Sequence, residues 1–292
     1  LKEEYFCRDD KVKLAMDVAK KEFSLTQGMQ HERCANVYIG IPFCPTICAY
    51  CSFSSFPAGR YRDKMDAYLD ALEKEMTQCK EWLAGKQMVS VYVGGGTPTS
   101  LSEEQFERLM AMTEKYLPME QSKEFTVEAG RPDSITEGKL RSMKTHGVTR
   151  ISINPQSMKE HTLELLGRKH TVEEIREKFM LARTLGFDNI NMDLIAGLPE
   201  ETLEDFKETL REVEALKPDS ITVHTLVIKR ASRLRKEQLE QGGEMREEDA
   251  CIEPMQKEAE QFCRVHGYEP YYMYRQKNKA GTTRNTNQEN VA

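Results

Sequence analysis

Short apolar runs alternate along the chain with longer segments in which apolar residues return every three or four positions. The run "NVYIGI" (residues 36–41) is rich in β-formers and predicts a first strand. In the segment that begins at Asp63, the residues Met65, Tyr68, Leu69, Leu72 and Met76 share one helical face. "VSVYVGGG" (residues 89–96) predicts a second strand running into glycines. Ser102 with Gln105 then has the capping-box pattern of a helix reaching toward Leu117. "EFTVEAG" (residues 124–130) predicts the third strand, with Ser134 and Glu137 as the expected cap of the helix after it. "VTRISINPQ" (residues 148–156) predicts the fourth, and Thr171 with Glu174 cap a helix that runs toward Gly186. "NINMDLIAGLP" (residues 189–199) predicts the fifth strand, a helix is expected from about Thr202, and "DSITVHTLVI" (residues 219–228) predicts the sixth. Strands and helices alternating at this spacing imply parallel βαβ units.

The chemically distinctive residues fall where these strands end. Cys44, Cys48 and Cys51 follow the first strand, and Gly94, Gly95 and Gly96 close the second. Glu128 ends the third, Asn154 and Gln156 end the fourth, Asp193 lies near the end of the fifth, and His224 near the end of the sixth. A barrel of parallel strands gathers such ends on one face, where ligands and catalytic groups meet. A doubly wound open sheet would gather them along one edge, so the pattern leaves curvature open while making the motifs convergent. Three successive glycines permit close backbone approach to a ligand, and the following "TPT" makes a tight turn; an ordinary strand-to-helix turn explains one glycine, not three.

Length and composition narrow the class. A chain of 292 residues suits one large domain or a barrel with an appendage. The expected division is a helical lead-in over residues 1–35, an α/β core over 36–230 and a helical and strand extension over 231–292. With 39% hydrophobic and 31% charged residues the chain reads as a globular protein, and no apolar run approaches the roughly 18 residues of a membrane-spanning helix. A net charge of −6 argues against a general nucleic-acid binder. The opening "LKEEYFCRDDKVKL" resembles neither a secretory signal nor an initiator context, so it reads as a fragment start. The eight cysteines are expected to be reduced thiols in the cytoplasm.

The loop "CPTICAYC" clusters three thiols with three and two residues between them. Three thiolates can hold three irons of a cubane [4Fe–4S] cluster and leave the fourth iron without a protein ligand. Phe43, Tyr50 and Phe53 are placed to shield such a cluster from water. The alternative is zinc, with Cys34 or a histidine as fourth ligand, although the intervening strand should carry Cys34 to the opposite end.

"CPTICAYC" is the CxxxCxxC signature of the radical S-adenosylmethionine (SAM) enzymes. With "YIGIPFC", "VYVGGGTPTSL", "INPQS", "LLGRKH" and "MDLIAGLP", the chain resembles the oxygen-independent coproporphyrinogen III oxidase group that contains HemN, HemW and HemZ. "ITVHTLVIKRASRL" and "YYMYRQKN" are most similar to the HemZ branch. The resemblance implies a partial (β/α)6 TIM-like barrel, a [4Fe–4S] cluster held by Cys44, Cys48 and Cys51, and SAM chelating the open iron. It places Gly94, Gly95, Gly96 and Thr97 along the methionine moiety, and Tyr38, Glu128, Gln156, Arg168 and Asp193 around the cofactor. It further implies cleavage of SAM to a 5′-deoxyadenosyl radical and oxidative decarboxylation of coproporphyrinogen III propionates to vinyl groups. An electron donor such as flavodoxin or ferredoxin is the implied partner. A tetra-anionic substrate needs basic anchors, for which Arg60, Arg62, Lys229, Arg230, Arg275 and Lys277 are candidates.

Departures from the HemN pattern bear on the substrate. Phe53 stands where HemN-type enzymes carry a further cysteine, Gly40 stands where they carry a histidine, and the usual C-terminal region is largely absent. HemW-like haem chaperones and radical methyltransferases therefore remain as alternative functions. Tyr38 reads equally as a strand core aromatic, and His224 as a hydrogen-bonded structural residue. Met110, Met112, Met143 and Met158 read as core or surface filler, and "ETLEDFKETLREVE" as a solvated amphipathic helix with internal charge pairs.

Overall fold

The computed structural model describes residues 1–29, 31–53, 55–227, 232–234, 252–274 and 285–290. Helices α1 (Lys2–Tyr5) and α2 (Asp9–Thr26) precede strand β1 (Cys34–Ile41), which leads into the cysteine loop. Within that loop the short strands β2 (Phe43–Cys44) and β3 (Phe56–Pro57) pair in parallel, and α3 (Ala58–Leu83) follows. The rhythm then repeats: β4 (Gln87–Gly95) to α4 (Glu103–Tyr116), β5 (Glu124–Gly130) to α5 (Glu137–Thr145), and β6 (Arg150–Ile153) to α6 (Glu160–Leu165) and α7 (Val172–Thr184). It continues with β7 (Ile190–Ala196), α8 (Leu203–Leu216) and β8 (Ser220–Thr225), then α9 (Ile252–Val265), β9 (Tyr268–Tyr274) and β10 (Asn285–Asn290).

Strands β1, β4, β5, β6, β7 and β8 lie side by side in that order, each parallel to its neighbour. β10 joins antiparallel to β8, and β9 antiparallel to β10. The helices pack on their chain neighbours, α3 on α4, α4 on α5, α7 on α8 and α8 on α9. A doubly wound sheet reverses its strand order at a switch point and divides its helices between two faces. Neither happens here, so the open question of curvature resolves to an α/β half-barrel of six parallel strands.

Local chemistry explains most boundaries. Ser102 with Gln105 and Thr171 with Glu174 form both halves of their capping boxes, and Thr202 with Asp205 forms a third. The cap expected at Ser134 moves to Thr136, whose side chain accepts from the Lys139 amide. Pro132 opens a single 3-10 turn there, which uses the Ser134 hydroxyl to donate to the Arg131 carbonyl at 2.9 Å and so delays the helix. Met110, Met112, Met143 and Met158 are all buried, which settles them as core residues. Helix α8 turns Phe206, Leu210 and Val213 inward. Its outer face makes the expected Arg211–Glu204 pair, and also reaches neighbours through Lys159–Glu208 at 2.5 Å and Arg176–Glu212 at 2.8 Å. Exposed pairs of this kind contribute about 1 kcal/mol or less, whereas each fully buried phenylalanine contributes about 2–3 kcal/mol, so the apolar face holds the helix.

The two flanking segments meet each other. Helix α2 packs on β9, and Arg8–Glu253 at 3.0 Å, Lys11–Glu260 at 3.0 Å and Lys21–Glu269 at 3.2 Å tie it to α9 and β9.

Candidate functional site

The site is built outward from the junction of β1 and β4. Gly40 pairs with Gly94 and Ile41 with Gly95. Just beyond, the Gly96 amide donates to the Ile41 carbonyl at 2.7 Å and the Thr97 amide to the Phe43 carbonyl at 2.7 Å, with Ser100 Oγ donating to the same oxygen at 3.1 Å. The glycine run is thus the seat of the cysteine loop. A Cβ on Gly96 would stand 2.5 Å from the Phe43 carbonyl oxygen, 2.8 Å from that of Ile41 and 3.0 Å from Cys44 Sγ. Gly95 adopts a φ of +105°, where a side chain is strained. Thr97 Oγ1 donates to Cys44 Sγ at 3.6 Å.

Below the loop lie two buried arginines. Arg131, 3% exposed, forks onto Asp133 and also donates Nη1 to the Thr46 carbonyl at 3.2 Å. Arg168, 6% exposed, donates to the Asn154 carbonyl at 2.7 Å and to the Tyr50 hydroxyl at 3.2 Å. The Ala49 amide is tied to the Leu166 carbonyl at 3.0 Å, and Leu234 in turn to Ala49. Phe43 is buried and Tyr50 half-buried beside the thiols. Phe53, two residues after Cys51, is 73% exposed.

The acidic half of the site lies across the barrel interior. Strand alternation sends Val91 and Val93 toward the helices, and Tyr92 and Gly94 inward. Tyr92 donates its hydroxyl to Glu128 Oε1 at 2.6 Å, and its ring stacks on Tyr38 with centroids 5.7 Å apart. Burial pushes the Glu128 carboxyl up to about 7; Tyr92 opposes the rise and the charge of Asp193 adds to it. Burial also pulls Asp193 upward, but His224, with Nε2 at 3.7 Å, and the Asn191 and Thr222 side chains outweigh it and hold Asp193 below its ordinary value. Asn191 is the hub of a polar ladder: it donates to Ser152 and Asp193 and accepts from Ser220 and Thr222. Gln156 adopts a φ of +69°, with its amide donating to the Asp193 carbonyl and its own carbonyl accepting from Ile195. This bridge holds a strained residue at the strand ends.

The chemistry of the donor set can be tested against a cluster. Burial pushes the Cys44 and Cys51 thiols up, and neighbouring cysteines add to the rise. Thiols in that condition become thiolates when a metal cation supplies the opposing charge. Among the described residues, no three His, Cys, Asp or Glu side chains stand at the spacing of a single-ion site. In a cubane each iron takes its own thiolate, and the close glycine backbone leaves room beside Cys44, so the loop fits that group.

A family model described as the radical SAM superfamily matches residues 38–213, and the chain belongs to that superfamily, whose cofactors are a [4Fe–4S] cluster and SAM. Among curated relatives it is 41% identical over 289 residues to the oxygen-independent coproporphyrinogen-III oxidase-like protein HemZ of Bacillus subtilis (strain 168), covering 98% of this chain and 57% of that protein. It is 38% identical to heme chaperone HemW of the same organism over 66% of this chain and 50% of that one. The solved coproporphyrinogen III oxidase HemN from Escherichia coli superposes with a TM-score of 0.71 at 29% identity, over 81% of this chain and 54% of that one. These findings place the chain within the HemN, HemW and HemZ group. It spans about half the length of the relatives it matches.

Gly94, Gly95, Gly96, Thr97, Glu128, Gln156 and Asp193 come together at or just beyond the strand ends, and Tyr38, within β1, stacks on Tyr92 beside them. Tyr38 is 63% exposed on the interior face, which overturns its reading as a core aromatic. Arg168 reaches the site from below, through Tyr50. Arg60 and Arg62 are exposed in the first turns of α3 beyond the cysteine loop. Lys229, Arg230, Arg275 and Lys277 lie outside the described residues. Tyr92, Asn191 and Arg131 are site residues that pattern reading missed. Tyr92 and Asn191 were legible only as inward positions of strands, and Arg131 as a charge lodged between a strand-ending glycine and a proline.

Proposed function

We propose that this chain is the cofactor-binding portion of an oxygen-independent coproporphyrinogen III dehydrogenase, which converts two propionates to vinyl groups with loss of carbon dioxide to give protoporphyrinogen IX. The observation that supports it is the convergence on one face of three separate thiols, a glycine seat and the Glu128–Tyr92 and Asp193–His224 pairs. When bound, the reduced cluster supplies the electron that cleaves SAM. Cys44, Cys48 and Cys51 would each hold one iron. The glycine run lets the methionine part of SAM approach the backbone, and Glu128 and Asp193 offer acceptors to ribose hydroxyls. Glu128 titrates near neutrality, so it holds a proton in part of the population and can donate as well as accept. Arg168 has its Nη atoms committed, and its buried Nε has no partner among the described residues, which leaves that edge for a carboxylate.

A coproporphyrinogen carries four carboxylates, for which Arg60 and Arg62 are exposed cations on the cluster side. An electron donor such as flavodoxin or ferredoxin, in the cytoplasm, completes the reading. The test is anaerobic reconstitution with iron and sulfide, followed by parallel assays of 5′-deoxyadenosine and of carbon dioxide from coproporphyrinogen III. About four irons and release of both products support the reading. A second reading, haem transfer, is favoured by the match to the heme chaperone HemW. Tight haem binding with no carbon dioxide would establish it in place of the first.

A further inference from the structure

We propose that Arg131 is a positioning residue for the cysteine loop, and that the Arg131–Asp133 pair sets the reduction potential of the cluster held there; this rests on the cluster-binding reading above. Gly130, with a φ of +69°, turns the chain at the end of β5 so that Arg131 passes beneath the loop. Nε and Nη2 fork onto the two Asp133 oxygens at 3.0 and 2.7 Å. Nη1 points the other way and donates to the carbonyl and Oγ1 of Thr46, at 3.2 and 2.5 Å. Thr46 lies two residues after Cys44 and two before Cys48, and its own hydroxyl donates to the Gly167 carbonyl at 3.2 Å. One guanidinium edge therefore fixes the middle of the ligand loop.

The turn that carries Arg131 is itself fastened. Ser134 Oγ bonds the Arg131 carbonyl, Thr99 Oγ1 bonds Ser134 Oγ at 2.7 Å, and Lys139 Nζ donates to the Thr99 and Ser134 carbonyls at 2.6 and 3.0 Å. The pair is a dipole whose buried positive end faces the loop, while its carboxylate behind belongs to a residue that reaches solvent. The other charged or titratable groups facing it are Arg168 on the far side of Tyr50 and His170, whose Nδ1 is 3.7 Å from Asp133 and which burial keeps below its ordinary range. Reduction adds one negative charge to the cluster. A fixed cation nearby in a low-dielectric setting favours the reduced form, and a carboxylate behind it tempers that effect.

The two members of the pair must then shift the potential in opposite directions. The test is a redox titration of the reconstituted cluster in wild type, Arg131→Gln and Asp133→Asn, read by visible absorbance alongside iron content. Arg131→Gln should make reduction about tenfold less favourable, a midpoint about 59 mV more negative for one electron. Asp133→Asn, which leaves the guanidinium uncompensated, should move it positive by a smaller amount, because Asp133 lies behind the guanidinium and reaches solvent, with iron content kept. Shifts of the same sign in both variants, as general solvent entry would cause, overturn the proposal, and so does the absence of a shift. If Arg131→Gln loses its iron, Arg131→Lys, which retains the charge, should keep its iron with a midpoint close to wild type, and the sign is read from Asp133→Asn. A negative shift in the latter is then decisive against the dipole. A wild-type protein that assembles no four-iron cluster removes the underlying reading and this inference together, whereas a normal cluster with unmoved variants overturns this inference alone.

Discussion

Gly96→Ala isolates the seat of the cysteine loop in a single methyl group. Gly96 does not adopt a positive φ, so alanine brings no backbone strain of its own and the effect is one of space. The new Cβ would meet the Phe43 and Ile41 carbonyl oxygens at 2.5 and 2.8 Å, which are main-chain atoms of the loop and cannot rotate away. Relief requires the loop to lift, breaking the Gly96 and Thr97 amide bonds to those same carbonyls. Overpacking costs about 1–3 kcal/mol and each lost hydrogen bond about 1 kcal/mol, for a total of about 3–5 kcal/mol. Gly94→Ala makes the contrast, since the nearest atoms to its Cβ are the Tyr92 and Glu128 side chains at 2.7 and 2.9 Å, with no atom of the cysteine loop among them. Gly59→Ala, with nothing within 4 Å, is the control. Urea unfolding of the iron-free chains and iron content after anaerobic reconstitution are the measurements. Gly96→Ala should lose both stability and iron, Gly94→Ala should keep its iron, and Gly59→Ala should match wild type. Wild-type stability and iron in Gly96→Ala would refute the seat.

Alanine at Cys44, Cys48 or Cys51 should each abolish the cluster measured by iron and sulfide analysis, whereas Cys79→Ala and Cys263→Ala should leave it intact. Asp193→Ala and Gln156→Ala should weaken SAM binding, followed by calorimetry, without removing iron; unchanged affinity in both would misplace the pocket. Glu128 has a folded-state value near 7, above that of an unfolded glutamate, so its contribution to stability is full in acid and is lost as pH rises through 7. Glu128→Gln should therefore flatten the fall in stability between about pH 5 and 8 by at most about 3 kcal/mol, and equal slopes in urea titrations of both proteins would contradict the assignment.

The strands and helices of the half-barrel were legible because parallel βαβ units bury their strands on both faces and cap their helices locally. Ser102 with Gln105 and Thr171 with Glu174 are decided within four residues and needed no tertiary information. Ser134 was misassigned because its hydroxyl is claimed by Thr99 and the Arg131 carbonyl, and Thr99 lies thirty-five residues away. Curvature could not be read locally either, since it depends on helices lining up in one layer. Among the site residues, the cysteines, the glycines and the acids stand at strand ends in recognisable strings. Tyr92 and Asn191 act from inside strands whose inward side only the sheet order reveals.

Tyr92 and Arg131 also explain why the site divides by charge. Two cations, Arg131 and Arg168, are buried below the loop that carries the thiols, and two carboxylates, Glu128 and Asp193, lie across the barrel interior. Each is held by a neutral or opposite partner: Thr46 and Asp133, Tyr50, Tyr92, and His224 with Asn191. Like charges within a half do repel, and the Asp193 charge helps to raise Glu128 to about 7; the neutral and opposite partners hold these side chains in fixed directions before any ligand arrives. In the proposed reading an anionic cluster then meets the cationic half, and the ribose hydroxyls and sulfonium of SAM meet the acidic half. Reversing one side should disturb one ligand only. Arg131→Gln is expected to move the potential while SAM affinity holds, and Asp193→Ala to lower SAM affinity while the potential of the SAM-free cluster holds. Titrating both variants for both properties tests whether the two halves are independent, and coupled changes in either variant would show that they are not.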